Sequence, residues 1–263
     1  MLDTVGGAEE IVAGIRLELR RTGRGRPLLL LHSEDALECE PPFLDLLTAQ
    51  HEVIIPSPPG FGRSERPDWV SAPDDIAYVY LELIDRLKLG GVDVLGCSLG
   101  GWIALEMATK EPAVFYRMAL VAPYGAKFLG PAERDIADIW MLPPGEVTQR
   151  KWFDPQKGER DYKAMPEDKL SIIARNNESF ARFCWEPYMH NPKLRHRLHR
   201  VTAPTLFLRG ESDGLVSADY VSAYARLLPH ARVQTMRAAG HSPHLEQPEA
   251  FARTVLQFLE AAP

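Results

Sequence analysis

The sequence predicts an α/β fold with a mostly parallel sheet, flanking helices and a helical insertion. Short apolar runs of strand length alternate along the chain with stretches that have the spacing of amphipathic helices. The apolar runs end in loops rich in Gly, Pro and charged residues, and one long interval shows no strand pattern. Such alternation is typical of parallel strands joined by helices that cover both faces of the sheet.

The first part of the chain supplies the first strands of this pattern. Alternating polar and apolar residues at 11–21 predict a strand, and the TGRGRP that follows predicts a turn. Continuous apolar runs at 28–32 and 52–55 predict buried central strands, and helical spacing at 43–50 and 75–89 predicts helices.

The same order continues and is then interrupted. Strands are predicted at 92–96, 115–123, 204–210 and 231–238, with helices from Leu99, at 220–228 and at 250–260. Between these blocks the chain is rich in Trp, Pro and charge, and helical spacing is found only at 132–140 and 168–185. We therefore expect a core in two parts, residues 1–125 and 201–263, with a helical cap at 126–200.

Composition and charge exclude several classes of protein. The 263 residues are 45% hydrophobic and 25% charged, which is typical of a globular chain. The net charge of -6 offers no basic face for nucleic acid. The start, MLDTVGGAEE, lacks the basic and apolar segments of an export signal, and no apolar run is long enough to span a bilayer.

The cysteine pattern indicates a reducing compartment. Cys39, Cys97 and Cys184 are far apart and form no CxxC pair, so neither a disulfide framework nor a thiolate metal site is expected. We predict a cytoplasmic protein that is a monomer or a homodimer.

A candidate nucleophile lies where an apolar strand gives way to a helix. Gly96-Cys97-Ser98-Leu99-Gly100 matches G-x-S-x-G, and the preceding strand and following helix are the context that this motif requires. The glycines leave room for a sharp turn that raises the serine hydroxyl above the sheet. The alternative is that Ser98 only caps the helix. A serine nucleophile needs a base, a group that orients the base, and donors for an oxyanion.

Two later loops carry the resemblance to a known family. LRGESDGLV and AAGHSPHLEQPEAF resemble the G-x-x-D and G-H-x-x-x-x-E-x-P segments of the α/β-hydrolase superfamily, and PPGFGRS resembles its loop after the fourth strand. The resemblance covers most of residues 10–126 and 200–260 and implies an α/β-hydrolase fold. It implies Ser98 as nucleophile, Asp213 as the orienting acid and His241 as the base. Glu211 and Asp219 are rival acids, and His244 is a rival base.

The resemblance also implies an oxyanion hole that is irregular here. One donor would be the amide of Leu99, and the second would come from the loop after the strand LLLL. Many family members have H-G-x in that loop, whereas this chain has His32-Ser33-Glu34, so the second donor would be the amide of Glu34. An inward carboxylate would oppose a developing negative charge. We expect the Glu34 side chain to turn away or to be paired, unless the pocket binds a cationic or proton-donating group.

A zinc site is a weaker interpretation of the histidines. His241 and His244, like His196 and His199, are three residues apart, but neither pair has an evident third ligand. The second pair lies in KLRHRLHR, which we interpret as a solvated basic helix face.

The predicted activity is hydrolysis of a carboxylic ester or related acyl bond of a small, apolar or aromatic substrate, without a metal or cofactor. Carbon–carbon bond hydrolases of the superfamily are the nearest rival, but they carry Asn before the nucleophile and Trp after the base, where this chain has Cys97 and Ser242. Perhydrolysis and a non-turnover receptor also stay open. Aspartate-nucleophile dehalogenases and epoxide hydrolases fit Ser98 poorly.

The cap aromatics available to line a pocket are Trp140, Trp152, Phe153, Phe180, Phe183, Trp185 and Tyr188. We expect most of them to pack the cap onto the core.

Overall fold

A computed structural model describes residues 8–35 and 41–261. Cys39 and the first seven residues lie outside the described residues, so the inferences drawn from them stay predictions. Cys97 and Cys184 are free and buried. Among the helices of the described ranges, none has both the length and the apolar character of a membrane span.

The described residues form one eight-stranded sheet with the order β1-β2-β4-β3-β5-β6-β7-β8. The strands are β1 (Ala8–Val12), β2 (Ile15–Gly23), β3 (Arg26–Leu31), β4 (His51–Pro56), β5 (Val92–Cys97), β6 (Phe115–Val121), β7 (Thr205–Gly210) and β8 (Ala231–Met236). Strands β3 to β8 are parallel, and β1 and β2 form an antiparallel edge. The mostly parallel sheet predicted from the sequence is confirmed.

Helices cover both faces of this sheet. The α-helices of the described residues are α1 (Pro42–Thr48), α2 (Pro73–Arg86), α3 (Leu99–Lys110), α4 (Pro144–Lys151), α5 (Glu167–Cys184), α6 (Ala218–Ala225), α7 (Pro243–Glu246) and α8 (Pro248–Leu259). In β3, Leu29 and Leu31 join the core that includes α2 and α3, whereas Leu28 and Leu30 join the core that includes α1 and α8. Because successive strand residues point to opposite faces, a strand buried on both faces is apolar throughout, as predicted.

The strand predicted at 11–21 is instead a hairpin. β1 ends at Val12 and β2 begins at Ile15, with Ala13 and Gly14 between them at φ values of 50° and 74°. Two positive φ values in a two-residue loop are typical of a tight hairpin turn. The polar and apolar alternation continues through this turn, which is why the pattern did not reveal it.

The interval between β6 and β7 is helical only in part. The predicted helix at 168–185 is confirmed by α5, but no helix forms at 132–140 among the described residues. There the Asp135 carboxylate accepts hydrogen bonds from the backbone N–H groups of Phe128 and Leu129, and Ile136 bridges Val216. These contacts stabilise a loop in place of a helix.

KLRHRLHR is likewise not an α-helix. It forms two short 3-10 turns in which His196 and His199 are exposed. The division into a two-part core and a cap at 126–200 stays a prediction.

Candidate active site

Ser98 lies in a strained turn between β5 and α3. Its backbone has φ 49° and ψ −107°, outside the regions that serine normally occupies, and its side chain makes no helix-capping hydrogen bond. Gly100 permits the turn, because a side chain there would overlap the carbonyl oxygens of Leu31 and His32. At Gly96, a Cβ would lie 2.8 Å from the Cα of Gly101. The glycines therefore have the steric role that the motif predicted, and the capping interpretation of Ser98 is wrong.

His241 links Ser98 to Asp213. Its Nε2 lies 2.6 Å from Ser98 Oγ, and its Nδ1 lies 2.9 Å from Asp213 Oδ2. Asp213 follows β7 and His241 follows β8, so the carboxyl ends of neighbouring parallel strands bring these side chains together. All three residues are buried, with Ser98 only 2% and His241 only 1% exposed. The sequence predicted this group of three, and the structure places its members in one hydrogen-bonded chain.

The rival residues have no part in this chain. Glu211 and Asp219 are exposed. His244 is buried with its ring against Phe43 and Phe251, at centroid distances of 5.6 and 5.7 Å. Burial lowers the pKa of His244 to about 3. The interpretation of His244 as the base is therefore wrong. No group of three or more His, Cys, Asp or Glu side chains within 8–35 and 41–261 is arranged to hold a metal ion.

The Glu34 side chain is paired, which is one of the two arrangements expected from the sequence. Its Oε1 accepts a hydrogen bond from the hydroxyl of Tyr124 at 3.1 Å and from Lys151 Nζ at 3.3 Å. The loop that carries Glu34 lies beside Ser98, because β3 pairs with β5 at Leu31 and Gly96.

The amides of Leu99 and Glu34 are the predicted oxyanion donors. Neither donates a hydrogen bond to another of the described residues. That the two amides bind an oxyanion together stays a prediction from the sequence.

Lys151 and Asp35 complete a cluster of charges around Glu34. The Lys151 ammonium also donates to Asp35 Oδ2, and Arg160 lies 3.7 Å from Asp35 Oδ1. Burial favours the neutral amine form of Lys151, but the charges of Asp35 and Glu34 outweigh this effect and raise the pKa of Lys151. Burial also opposes ionisation of Asp35, whose pKa the Lys151 ammonium nevertheless lowers. Cations thus accompany both carboxylates of the loop.

Tyr124 and Lys151 were not found from the sequence. Tyr124 follows the end of β6, at the edge of the sheet that carries Ser98, and this position was a usable signal. Lys151 ends α4 in an interval without strands, and no pattern marked it.

Of the aromatic residues in the predicted cap, some are buried and others are exposed. Phe180 and Phe183 are buried, and Phe180 stacks on Tyr124 at 6.4 Å. Trp140 contacts Phe180 at 5.5 Å. Trp185 is 57% exposed, and with Trp140 and Tyr188 it lines a surface cavity of about 370 Å³. Phe153 is 54% exposed, and Trp152 is half-buried.

Comparison with known sequences identifies the family. The profile described as the alpha/beta hydrolase family matches residues 28–254. This chain belongs to the alpha/beta hydrolase family. The 2-hydroxymuconate semialdehyde hydrolase of Pseudomonas putida is 27% identical to this alpha/beta hydrolase, over 97% of this chain and 95% of the relative. The pimeloyl-acyl-carrier-protein methyl ester esterase of Photobacterium profundum is 27% identical, over 90% of this chain and 96% of the relative. With hydrolases and esterases as its relatives, this alpha/beta hydrolase is an enzyme.

Solved structures share the fold of this alpha/beta hydrolase. The meta-cleavage product hydrolase of Pseudomonas fluorescens IP01 matches with a TM-score of 0.76 at 20% identity, covering 96% of this chain and 97% of that one. A thermophilic esterase from Thermogutta terrifontis matches with a TM-score of 0.75 at 23% identity, with coverage of 96% and 97%.

Proposed function

We propose that this alpha/beta hydrolase is a serine hydrolase that cleaves carboxylic esters or related acyl bonds through Ser98, His241 and Asp213. The observation that carries the proposal is the 2.6 Å distance between Ser98 Oγ and His241 Nε2, with Nδ1 of the same ring 2.9 Å from Asp213 Oδ2. A carboxylate can only accept, so Nδ1 carries the proton toward Asp213 and Nε2 is free to accept one.

The proposed reaction has two stages. The Ser98 proton moves to His241 Nε2 while Oγ bonds to the substrate carbonyl carbon, and the carbonyl π electrons move to its oxygen. The bond to the leaving oxygen then breaks, and Nε2 returns the proton to that oxygen. Water repeats the sequence on the acyl-enzyme, which releases the acid and restores Ser98. The steps use only side chains, backbone amides and water.

The backbone amides of Leu99 and Glu34 are proposed to bind the oxyanion. Two features support this role: both N–H groups lack a partner among the described residues, and both follow strands that pair beside Ser98. The N-terminus of α3 adds a partial positive charge near the reacting oxygen.

The proposed substrate is small, with an apolar or aromatic acyl group. Phe180 stacks on Tyr124, and Phe61 packs on His32 at 6.1 Å, so aromatic side chains border the site from the cap and from the core. Esters of graded chain length test this expectation. Turnover that rises toward longer or aromatic acyl groups supports it, and a strict preference for acetate contradicts it.

Carbon–carbon bond hydrolysis is the second candidate. It is favoured by relatives named for 2-hydroxymuconate semialdehyde and for 2-hydroxy-6-oxo-2,4-heptadienoate. Against it, Cys97 and Ser242 stand beside the nucleophile and the base, where those enzymes carry Asn and Trp. Parallel assays with a p-nitrophenyl ester and with 2-hydroxy-6-oxo-2,4-heptadienoate separate the two activities by kcat/KM.

Replacing Ser98 by Ala tests the serine mechanism. We expect a fluorophosphonate to label the wild type at Ser98, and we expect Ser98→Ala to lose both labelling and steady-state ester turnover while its circular dichroism is unchanged. Ser222→Ala, a half-buried serine of α6, is the control and should label normally. Labelling that persists in Ser98→Ala contradicts the assignment. One equivalent of product without further turnover in the wild type favours a binding protein.

A further inference from the structure

Tyr124 places its hydroxyl between His241 and Glu34. The hydroxyl oxygen lies 3.1 Å from His241 Nε2 and 3.1 Å from Glu34 Oε1. The proposed reaction above gives Tyr124 no role, although its hydroxyl touches the nitrogen that would take the Ser98 proton.

The hydroxyl has one proton and two candidate acceptors. In the resting site, Nε2 already accepts the shorter hydrogen bond from Ser98, at 2.6 Å. A carboxylate is the stronger acceptor because the hydrogen bond to it is charge-assisted. The Tyr124 proton is therefore directed to Glu34, and a lone pair of the Tyr124 oxygen faces Nε2. Once Nε2 is protonated, its N–H can donate to that oxygen.

Tyr124 is held in this orientation from three sides. Its N–H donates to the Ser98 carbonyl at 3.3 Å, and its own carbonyl accepts the Tyr224 hydroxyl at 2.7 Å. Its ring lies nearly parallel to the His241 ring, at 9° and 5.5 Å, with Phe180 also stacked on it. Burial raises the pKa of Tyr124, and the charges of Glu34 and Asp213 raise it further. The phenol therefore stays neutral and keeps its O–H for Glu34.

We propose that Tyr124, anchored by the Glu34 carboxylate, is a positioning residue that holds the His241 imidazolium through its hydroxyl oxygen. The inference rests on the proposed serine mechanism. It gives the Glu34 side chain a role beyond that of its amide, because Glu34 fixes which way the Tyr124 hydroxyl points. In the active enzyme the imidazolium forms only on proton transfer from Ser98, so the contact stabilises the transition states of acylation and deacylation more than it stabilises bound substrate.

Tyr124→Phe removes the hydroxyl and keeps the stacked ring. We expect kcat and kcat/KM to fall together by about 10- to 100-fold with KM unchanged, the signature of an interaction made only in the transition state. Rates are expressed per active site, counted from the p-nitrophenol burst. Tyr80→Phe is the matched control, because Tyr80 is a fully buried tyrosine whose hydroxyl donates to the Pro56 carbonyl, and it should keep wild-type kcat.

The pH profile separates this role from a structural one. In Tyr124→Phe the acid-side midpoint of kcat/KM should move to lower pH, because the protonated ring has lost an acceptor. A purely structural role would reduce the fraction of active sites and leave the midpoint in place. Glu34→Gln should lower kcat in the wild-type background. In the Tyr124→Phe background the same substitution should lower kcat little further, because Glu34 acts through Tyr124.

The outcomes separate this inference from the proposed function. Wild-type enzyme that neither labels nor turns over esters contradicts the serine mechanism. Suppose instead that the wild type is active. The role of Tyr124 is then overturned if Tyr124→Phe keeps kcat within about twofold of the wild-type value and its pH profile does not move. Fully additive losses in the double variant overturn the part assigned to Glu34.

Discussion

Asp213 is fixed by more than its contact with His241. Its Oδ2 faces the imidazole, and its Oδ1 accepts hydrogen bonds at 2.9 Å from the backbone N–H groups of Leu215 and Val216. Three donors thus compensate a buried carboxylate and hold it in one orientation. This environment distinguishes Asp213 from the exposed Glu211 two residues earlier.

Asp213→Asn tests the orienting role. Because an amide can donate to Nδ1, it stabilises the tautomer in which Nε2 carries the proton and cannot accept from Ser98. We expect kcat to fall by about 10³- to 10⁴-fold. Ester kinetics measure the loss, and circular dichroism checks the fold. Glu211→Gln is the control and should remain within about twofold of the wild type. An equal loss in both variants would contradict the assignment of Asp213.

The segment that ends α4 contacts three loops of the site. The carbonyl of Arg150 accepts the Gly214 N–H at 2.8 Å, and the carbonyl of Lys151 accepts the His241 N–H at 2.7 Å. The Lys151 side chain reaches Glu34. Two consecutive residues therefore connect the acid loop, the histidine loop and the loop of the proposed oxyanion donor.

Lys151→Met should destabilise the folded protein, because it leaves the carboxylates of Glu34 and Asp35 without the Lys151 ammonium. Removing one member of a buried ion pair leaves an uncompensated charge, so we expect the free energy of unfolding to fall by about 3 kcal/mol. Urea unfolding at pH 7 measures it. Lys157→Met is the control, since Lys157 is exposed and its ammonium donates to the carbonyl of Glu246, not to a carboxylate of the described residues.

A double-mutant cycle tests the pairing itself. Glu34→Gln should cost less stability in the Lys151→Met background than in the wild type, because the substitution then removes an unpaired charge. Strict additivity would show that the two side chains are independent.

A buried carboxylate also lies at the amino-terminal end of the strand that Ser98 follows. Asp93, near the start of β5, is fully buried with Oδ2 2.7 Å from Arg26 Nε and 3.9 Å from His51 Nε2. Burial raises the pKa of Asp93 to about 6, despite the positive charges of Arg26 and Arg117. Burial also lowers the pKa of His51, which faces Arg26 and Glu260.

The raised pKa of Asp93 makes stability depend on pH. Below about pH 4 the carboxyl is protonated in both folded and unfolded chains. Between about pH 4 and pH 6 the unfolded chain has lost the proton that the folded chain still holds, so the free energy of unfolding falls as pH rises, until the folded carboxyl also ionises. Asp93→Asn removes the ionisable group. The free energy of unfolding of the variant, relative to that of the wild type, should therefore rise by on the order of 2 kcal/mol between pH 4.5 and pH 8.

Urea unfolding of both proteins at the two pH values measures the effect. Asp85→Asn is the control, because Asp85 is an exposed carboxylate of α2. A difference between Asp93→Asn and the wild type that does not change with pH would refute the expectation.

The amino-acid sequence predicted most of the elements in their observed order, and it predicted that Ser98, Asp213 and His241 would lie together. Strand and helix periods are local properties, and parallel strands bring the loops at their carboxyl ends to one edge, so chain order already implies which loops meet. Local patterns were insufficient at 11–21 and 132–140, where a two-residue turn and a carboxylate bonded to backbone amides outweighed periodicity. The roles proposed for Tyr124, Lys151 and the Glu34 side chain depend on distances near 3 Å between segments far apart in the chain. Such distances are fixed by how residues of the interval between β6 and β7 pack against the loops that carry Glu34 and His241, which no local pattern in the chain specifies.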